Sequence, residues 1–237
     1  MNKIHLLDNG LINKIAAGEV VERPASVVKE LMENSIDAGA TSITVEIAEG
    51  GTSVIKITDN GKGIPKDEIR TAFMRHATSK IDSFEDLENV LTLGFRGEAL
   101  SSIASVAQVE MLTRTESDSM GTRIVINGGV VDREEECAAN VGTVFYVKNI
   151  FFNTPARRKF LKKPATEGSY ISEIVNRIAL GHPNIAIKYI NNGNIVLQTN
   201  GDGNVKNSLF YIYGKDIASK MLNLESEKEG YILKGLV

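Results

Sequence analysis

A strict alternation of apolar and polar residues around a glycine-containing turn is the feature that most limits how this chain can fold. It predicts two antiparallel strands with one buried face, joined at residues 49–51. The alternating apolar positions are Ile43, Val45, Ile47, Ile55 and Ile57. Residues 24–39 carry apolar side chains at helical spacing, between a proline at the helix start and a glycine stop signal. An amphipathic helix is therefore expected to lead directly into a β-hairpin.

The rest of the chain shows more strand patterns than helix patterns, without regular alternation of the two. Further strands are predicted at 107–114, 121–127, 130–136, 142–149, 185–190 and 195–199. Further helices are predicted as a broken one at 66–90, one from residue 99, a short basic one from residue 154 and one at 169–180. Hairpin turns join many of the strands, which favours antiparallel neighbours. The predicted fold class is α+β, with a mixed, largely antiparallel sheet layered on helices.

A polar, glycine-containing stretch at residues 199–204 predicts a domain boundary. We expect a first domain at 1–205 and the incomplete start of a second α/β domain at 206–237. The second part is predicted to contain a helix near 214–221 and a strand that reaches residue 237.

Composition excludes several classes of protein. The 27 basic and 30 acidic residues give a net charge of −3, which argues against a surface that coats nucleic acid along its whole length. The single cysteine, Cys137, excludes an intrachain disulfide and a four-cysteine zinc site. The absence of tryptophan and the 6% aromatic content argue against a stacking platform for single strands. No signal-peptide core or apolar run of about 20 residues is present, so we expect a soluble cytosolic protein without a membrane partner.

One face of the first helix carries oxygen-bearing side chains and, by helical spacing, no basic residue. Glu30, Glu33, Asn34 and Asp37 fall within an arc of about 100° opposite the apolar face. Such a face is usually solvated, and for this helix alone that interpretation is favoured. The alternative is a face that looks into a pocket holding Mg²⁺, an ion that prefers oxygen ligands.

Two glycine-containing loops have the composition of ligand-binding loops. Residues 59–64, DNGKGI, place a carboxylate at the end of a buried strand beside glycines that permit close approach. Residues 93–100, LGFRGEAL, lead into a helix start, which favours an anion. Each also fits an ordinary turn or helix entry. Neither the Walker A motif nor the dinucleotide-binding glycine pattern is complete in this chain.

Together, the order and spacing of these features resemble the N-terminal ATPase region of the MutL family of DNA mismatch-repair proteins. That family shares its ATPase superfamily with DNA gyrase B, heat-shock chaperones and histidine kinases. The runs that carry the resemblance are IAAGEVVERPASVVKEL (15–31), ENSIDAGA (33–40), DNGKGI (59–64), RHATSK (75–80), GFRGEAL (94–100) and NTPARRKFL (153–161). The short motifs are common to the superfamily, whereas the runs at 15–40, 75–80 and 153–161 are specific to MutL. The resemblance implies a Bergerat-type ATPase fold, a two-layer sandwich, followed by a transducer domain.

The resemblance also implies roles for particular residues. Glu30 would be the general base that activates the attacking water, and Asn34 would bind Mg²⁺. Asp59 would accept a hydrogen bond from the adenine amino group. Gly63 would let the base lie against the backbone, and Thr143 would support the adenine pocket.

The remaining nucleotide-site positions follow from the same resemblance. Ala38, Ile64 and Leu93 would line the site, and the lid around the phosphates would consist of Thr78, Ser79, Lys80, Gly94, Phe95, Arg96, Gly97, Glu98, Ala99 and Leu100. Main-chain amides at 95–99 would hold the phosphates. The implied ligands are ATP and Mg²⁺.

A basic segment, residues 154–163, contains five cations and no acid: Arg157, Arg158, Lys159, Lys162 and Lys163. A run of like charges is usually a solvated face. The family resemblance implies instead a sequence-independent contact with DNA phosphates, whose strength would depend on salt.

The implied function is an ATP-binding and ATP-hydrolysing switch of mismatch repair in the bacterial cytoplasm, associated with the nucleoid. Its implied partners are DNA, the mismatch-recognition protein MutS, a downstream nuclease and helicase, and a second copy bound in an ATP-dependent N-terminal dimer. Because the family completes its site with a lysine from the second domain, we expect this chain to bind Mg-ATP but hydrolyse it poorly. Two alternatives stay open: a passive DNA-binding or interaction module with a vestigial nucleotide pocket, and another member of the same superfamily.

Overall fold

The computed structural model describes residues 17–18, 20–77, 97–228 and 230–237. The strands in these ranges are β1 (Ser42–Ala48), β2 (Val54–Asp59), β3 (Gln108–Arg114), β4 (Gly121–Asn127), β5 (Val130–Cys137), β6 (Gly142–Lys148), β7 (Ala186–Asn191), β8 (Asn194–Gln198), β9 (Asn223–Lys228) and β10 (Tyr231–Leu236). The helices are α1 (Pro24–Asp37), α2 (Ile69–Ala72), α3 (Ala99–Val106), α4 (Pro155–Phe160), α5 (Pro164–Gly181), α6 (Val205–Tyr213) and α7 (Lys215–Ala218).

Eight of the strands form one mixed sheet in the order β5-β4-β3-β6-β2-β1-β7-β8. Only the pairing of β1 with β7 is parallel within this described sheet, and its other neighbours are antiparallel. Strands β9 and β10 form a separate antiparallel pair. The predicted α+β class with a largely antiparallel sheet is confirmed.

The two faces of the sheet differ as the alternation predicted. Along β1 and β2 the apolar residues are buried, and registers such as Val45 with Ile57 and Ile57 with Phe145 align them across neighbouring strands. This apolar face packs against α1, α3 and α5 to form the core. The opposite face carries ion pairs between Lys56 and Glu46, Lys148 and Glu110, and Arg123 and Glu110. A two-layer arrangement results, because only one face of the sheet is apolar.

Helix α1 begins and ends where its sequence signals lie. Arg23 is extended at the N-cap and Pro24 occupies the first turn, where its missing N–H leaves no bond unmade. The helix ends at Asp37, and the N–H of Ala38 bonds back to the carbonyl of Asn34 at 2.9 Å. Gly39 follows with φ +76°, a left-handed conformation that suits glycine.

Three helices differ from their predicted extents. In the described part of the predicted helix at 66–90, only Ile69–Ala72 is helical, and residues 78–90 lie outside the described ranges. Helix α5 begins at Pro164, five residues before the predicted start, because a proline at the first position starts it. In place of one helix near 214–221, α6 and α7 are separated by Gly214, whose φ of +82° interrupts the helical path. No helix in the described ranges has the length and apolar character needed to cross a membrane.

Candidate functional site

The carboxyl end of β2 places a carboxylate on the buried face of the sheet, beneath α1. Asp59 continues the alternation of the strand, so its side chain points toward the helices and is 9% exposed. Its Oδ2 accepts a hydrogen bond from Ser35 Oγ at 2.8 Å. Its Oδ1 accepts from the N–H of Gly61 at 2.9 Å and of Thr143 at 3.2 Å. Two main-chain donors hold Oδ1, whereas the single hydroxyl on Oδ2 leaves that oxygen able to accept a further bond.

Strand register gathers two threonines beside this carboxylate. Asp59 lies opposite Thr143, and Thr143 lies opposite Thr113 on the next strand. Thr113 Oγ1 accepts from the N–H of Ile64 at 2.9 Å and lies 3.2 Å from Thr143 Oγ1. It also donates to the carbonyl of Gly142 at 3.1 Å. A polar cluster thus closes one end of an otherwise apolar core.

Burial is the main influence on the acidity of Asp59. It raises the pKa of Asp59 above the ordinary value, and the hydrogen bonds from Gly61, Ser35 and Thr143 lower the pKa only in part. A buried carboxylate of this kind is a common feature of binding and catalytic sites.

Two glycines near Asp59 have positive φ, and main-chain atoms of other residues occupy the space that a side chain on either glycine would need. A Cβ on Gly63, at φ +72°, would sit 2.2 Å from the carbonyl oxygen of Arg114. A Cβ on Gly142, at φ +116°, would sit 2.2 Å from the carbonyl oxygen of Asp59. The close approach of β3 is therefore a packing reason for glycine at residue 63, in addition to the predicted contact with a base.

The loop after Asp59 is fixed to the end of α1. The N–H of Lys62 donates to the carbonyl of Ala38 at 3.0 Å. A Cβ on Gly61 would lie 2.9 Å from the Cβ of Ala38. Two of the predicted lining residues thus fix the loop through their main-chain atoms. The carbonyl of Ala38 accepts from Lys62, and the N–H of Ile64 donates to the hydroxyl of Thr113.

The oxygen-rich face of α1 contains a basic residue, contrary to the expectation from helical spacing. Lys29 Nζ lies 2.8 Å from Glu33 Oε2 and 3.3 Å from Glu30 Oε1. Burial lowers the pKa of Lys29, but the bonds and charges of Glu33 and Glu30 outweigh it and raise that pKa. Glu30 and Asn34 are both half-buried on this face. The acidic face is therefore a charge-paired cluster rather than a bare acidic stripe.

The described part of the predicted phosphate lid is its last four residues, 97–100, which lie beside residues 75–77. Gly97, at φ +62°, approaches Ala77 so closely that a Cβ would lie 2.7 Å from its carbonyl oxygen. Glu98 Oε1 lies 3.3 Å from His76 Nδ1 and 3.6 Å from Arg75 Nη2. Residues 75–77 and 97–98 therefore meet at the start of α3, which continues with Ala99 and Leu100. The predicted site residues outside the described ranges are Thr78, Ser79, Lys80, Leu93, Gly94, Phe95 and Arg96.

Oxygen-bearing side chains on α1 would hold Mg²⁺ only together with ligands from outside the protein. In the described ranges, no three His, Cys, Asp or Glu side chains are grouped so as to hold a metal by themselves. Mg²⁺ commonly keeps several waters and takes few protein ligands beside substrate phosphates. The half-buried amide of Asn34 is compatible with that mode of binding.

The basic segment divides into one covered and four exposed cations. The guanidinium of Arg157 packs on Gly18, where a Cβ would lie 2.1 Å from Nη2, and Arg157 Nη1 is buried. The side chains that are exposed are Arg158, Lys159, Lys162 and Lys163. Arg157 is therefore partly covered by the backbone at Gly18, and its predicted contact with DNA stays a prediction.

Three residues of the site were missed by the sequence argument. Ser35 is 3% exposed on the apolar face of α1, and Thr113 is 1% exposed at the end of an apolar alternation. A polar residue at a position predicted to be buried is a signal that it has a buried partner. Lys29 precedes Glu33 by four residues, the spacing at which side chains on a helix meet.

Comparisons with known proteins show the family of this chain. Residues 22–141 match the family model described as histidine kinase-, DNA gyrase B-, and HSP90-like ATPase. The DNA mismatch repair protein MutL of Agathobacter rectalis is 55% identical over 237 residues, which is 100% of this chain and 37% of that protein. MutL of Caldanaerobacter subterraneus subsp. tengcongensis is 52% identical over 99% of this chain and 40% of that protein. The chain thus spans about two fifths of the length of these curated relatives.

A solved structure has the same architecture. The Aquifex aeolicus MutL ATPase domain complexed with ADP has a TM-score of 0.74 and 31% identity, covering 92% of this chain and 77% of that one. The identity over the whole chain and the shared fold support the same conclusion. This chain belongs to the MutL family of DNA mismatch-repair proteins and contains its ATPase domain of the gyrase B and HSP90 type.

Proposed function

We propose that this chain binds Mg-ATP between α1 and the polar end of the sheet, and that ATP binding and hydrolysis switch its conformation. The observation that carries the proposal is the geometry of Asp59. Asp59 is buried, and its Oδ2 accepts a bond from one hydroxyl and is able to accept one more. The amino group of adenine is a donor, whereas guanine presents an acceptor at that position. Titration with ATP and GTP tests this, and equal affinity for the two would contradict it.

The residues of α1 would act at the phosphates. Asn34 would hold Mg²⁺, which neutralises charge on the phosphates when bound. Glu30 would accept a proton from a water as the water oxygen bonds to the γ-phosphorus. The bond from that phosphorus to the bridging oxygen breaks, and its electron pair leaves with ADP. Lys29, which bonds to both Glu30 and Glu33, would restrict the orientation of the base.

Replacing Glu30 by glutamine is expected to remove hydrolysis while leaving ATP affinity within about twofold. Glutamine keeps the size of the side chain but cannot accept the proton, and general-base catalysis contributes roughly 10²–10⁴-fold. The measurement is ADP formation in a single turnover with protein in excess, because hydrolysis by this chain alone is proposed to be slow. The exposed Glu22→Gln is the matched control. Hydrolysis by Glu30→Gln at the unmodified rate would assign the base elsewhere.

We also propose that the exposed cations of the basic segment contact DNA phosphates without reading sequence. Four exposed cations lie within six residues, in a chain whose net charge is −3. Each phosphate that a cation neutralises releases counterions, so affinity falls as salt rises.

Reversing Arg158 and Lys159 to glutamate is expected to weaken duplex binding by about tenfold or more and to reduce the salt dependence. Each lost phosphate contact lowers the slope of log affinity against log salt by about 0.9. Fluorescence anisotropy of a labelled duplex at several salt concentrations measures both. Lys215→Glu with Lys220→Glu is the control, since it changes the net charge equally at exposed positions outside the segment. Equal losses in the two double variants would show a non-local charge effect.

We propose the remaining roles from family membership, because the curated relatives are longer than this chain. ATP-driven association of two ATPase regions, the coupling of MutS to a nuclease and helicase in the bacterial cytoplasm, and a second domain beginning at residue 206 are proposals based on family membership. The exposure of both strands of the β9–β10 pair is compatible with a second domain that includes more chain. Poor hydrolysis by this chain would follow if a lysine from that domain completes the site.

A further inference from the structure

Phe160 is an exposed aromatic ring at the end of α4, within the basic segment. Its side chain is 82% exposed, more than any other large apolar side chain in the described ranges. Single exposed apolar residues are common on protein surfaces and need no explanation by themselves. What distinguishes Phe160 is its setting, both in the backbone that holds it and in the charges around it.

The backbone on both sides of Phe160 is anchored. Leu161, the next residue, packs against the hydrophobic core. The N–H of Lys162 donates to Glu167 Oε1 at 2.9 Å, and Glu167 is 1% exposed. Three residues before Phe160, the guanidinium of Arg157 lies against Gly18. The ring is therefore held outward by a fixed segment, rather than exposed because the segment is loosely attached.

The charges around the ring select the kind of partner. All four exposed cations of the basic segment lie within three residues of Phe160, and the segment contains no acid. A cluster of this kind attracts a polyanion. An aromatic ring next to phosphate-binding cations is the combination by which proteins hold single-stranded nucleic acid, because every base has a face on which a ring can stack.

We propose that Phe160 stacks on an unpaired base while the neighbouring cations contact the flanking phosphates, so that the basic segment binds single-stranded DNA more tightly than duplex. The inference rests on the proposed DNA contact and adds a preference to it. In a duplex the base faces are covered by neighbouring base pairs, so the ring adds affinity only where bases are unpaired. Composition argued against a platform of several aromatic residues, but stacking at this position requires one ring.

The first experiment compares an oligothymidine with a duplex of equal length. Phe160→Ala is expected to weaken single-strand binding by about 5- to 100-fold, the range that loss of one stacked base gives, and to leave duplex binding within about twofold. Phe160→Tyr keeps a ring and is expected to retain the single-strand affinity. Phe210→Ala is the matched control, because Phe210 is a 47% exposed phenylalanine outside the basic segment. The ring is exposed, so the variants are expected to fold normally, which circular dichroism checks.

The absence of tryptophan from the chain allows a second, direct measurement. Phe160→Trp introduces a single reporter whose fluorescence is quenched when a base stacks on it. Quenching by oligothymidine, with little change on adding duplex, supports the proposal. A concentration-dependent blue shift without DNA would show that protein covers the ring, and would overturn it.

The outcomes separate this inference from the proposed function. If reversal of Arg158 and Lys159 weakens binding to both DNA forms but Phe160→Ala leaves their affinity ratio unchanged, the stacking role is overturned and the phosphate contact stands. If the reversal leaves binding to both forms unchanged, the proposed contact and the stacking role fail together.

Discussion

Replacing Asp59 by asparagine is expected to lower ATP affinity by about tenfold or more, since a hydrogen bond to a buried charged group contributes roughly 1.5–3 kcal/mol. The amide is nearly isosteric with the carboxyl group. It can still accept from Gly61 and Thr143, but it then presents its NH₂ group where the adenine amino group would donate. The loss should therefore fall on nucleotide binding and not on the fold.

Calorimetric titration with a non-hydrolysable ATP analogue and Mg²⁺ measures this effect. Asp67→Asn is the control, because Asp67 is exposed in the same part of the chain. Unchanged affinity in Asp59→Asn would remove the basis for the adenine pocket and favour the alternative of a passive module.

The difference in stability between Asp59→Asn and the unmodified chain should depend on pH in a defined direction. The folded-state pKa of Asp59 is raised by burial, so the ionised form is disfavoured in the folded protein. Its contribution to stability is present below the unfolded-state pKa and is lost as pH rises through the folded-state pKa. Denaturant unfolding of the ligand-free protein should thus show Asp59→Asn at least as stable as the unmodified chain at pH 7, with a smaller advantage near pH 4. A variant that is much less stable at pH 7 would show that the carboxylate is needed for folding.

Substituting Gly63 by alanine is expected to cause the largest loss of stability among single changes at the site, together with loss of ATP binding. The backbone has φ +72°, which costs about 1 kcal/mol or more for a residue with a side chain. In addition, the new Cβ would lie 2.2 Å from the Arg114 carbonyl oxygen, so β3 or the 59–64 loop must move. Movement of either disturbs the bond from the Ile64 N–H to Thr113 and the polar cluster beyond it.

A matched control separates the steric effect from the cost of positive φ. Gly193 has φ +78° with open space around it, so Gly193→Ala carries the conformational cost without the clash. Thermal unfolding of the two variants should show Gly63→Ala clearly less stable than Gly193→Ala. Equal shifts in Tm would mean that the contact with Arg114 relaxes without cost, and that Gly63 matters only for its conformation.

Part of the site could be predicted because local patterns determine it. Asp59 follows a clear alternation, so both its place at a strand end and its orientation toward the core follow from sequence. The long runs specific to MutL supported the family assignment and, through it, the proposed roles of Glu30 and Asn34. Lys29 could also have been placed, because it stands four residues before Glu33.

Other parts depend on strand order, which local patterns do not specify. Asp59, Thr143 and Thr113 come from β2, β6 and β3, which are adjacent only because the sheet places them so. Nothing near Thr113 in the sequence indicates that a loop 49 residues earlier will donate to its hydroxyl.

The basic segment shows most clearly the difference between what local patterns predict and what the packing of distant segments sets. Local patterns and motifs were enough to predict the fold class, the helix that leads into a hairpin, the family and the concentration of positive charge. The packing of distant segments places the guanidinium of Arg157 against Gly18 and leaves Phe160 exposed to solvent. Periodicity records which side chains share a face of one element, whereas burial also depends on which distant segment packs against that face. For this reason the cation Arg157 is partly buried, whereas the aromatic residue Phe160 is exposed.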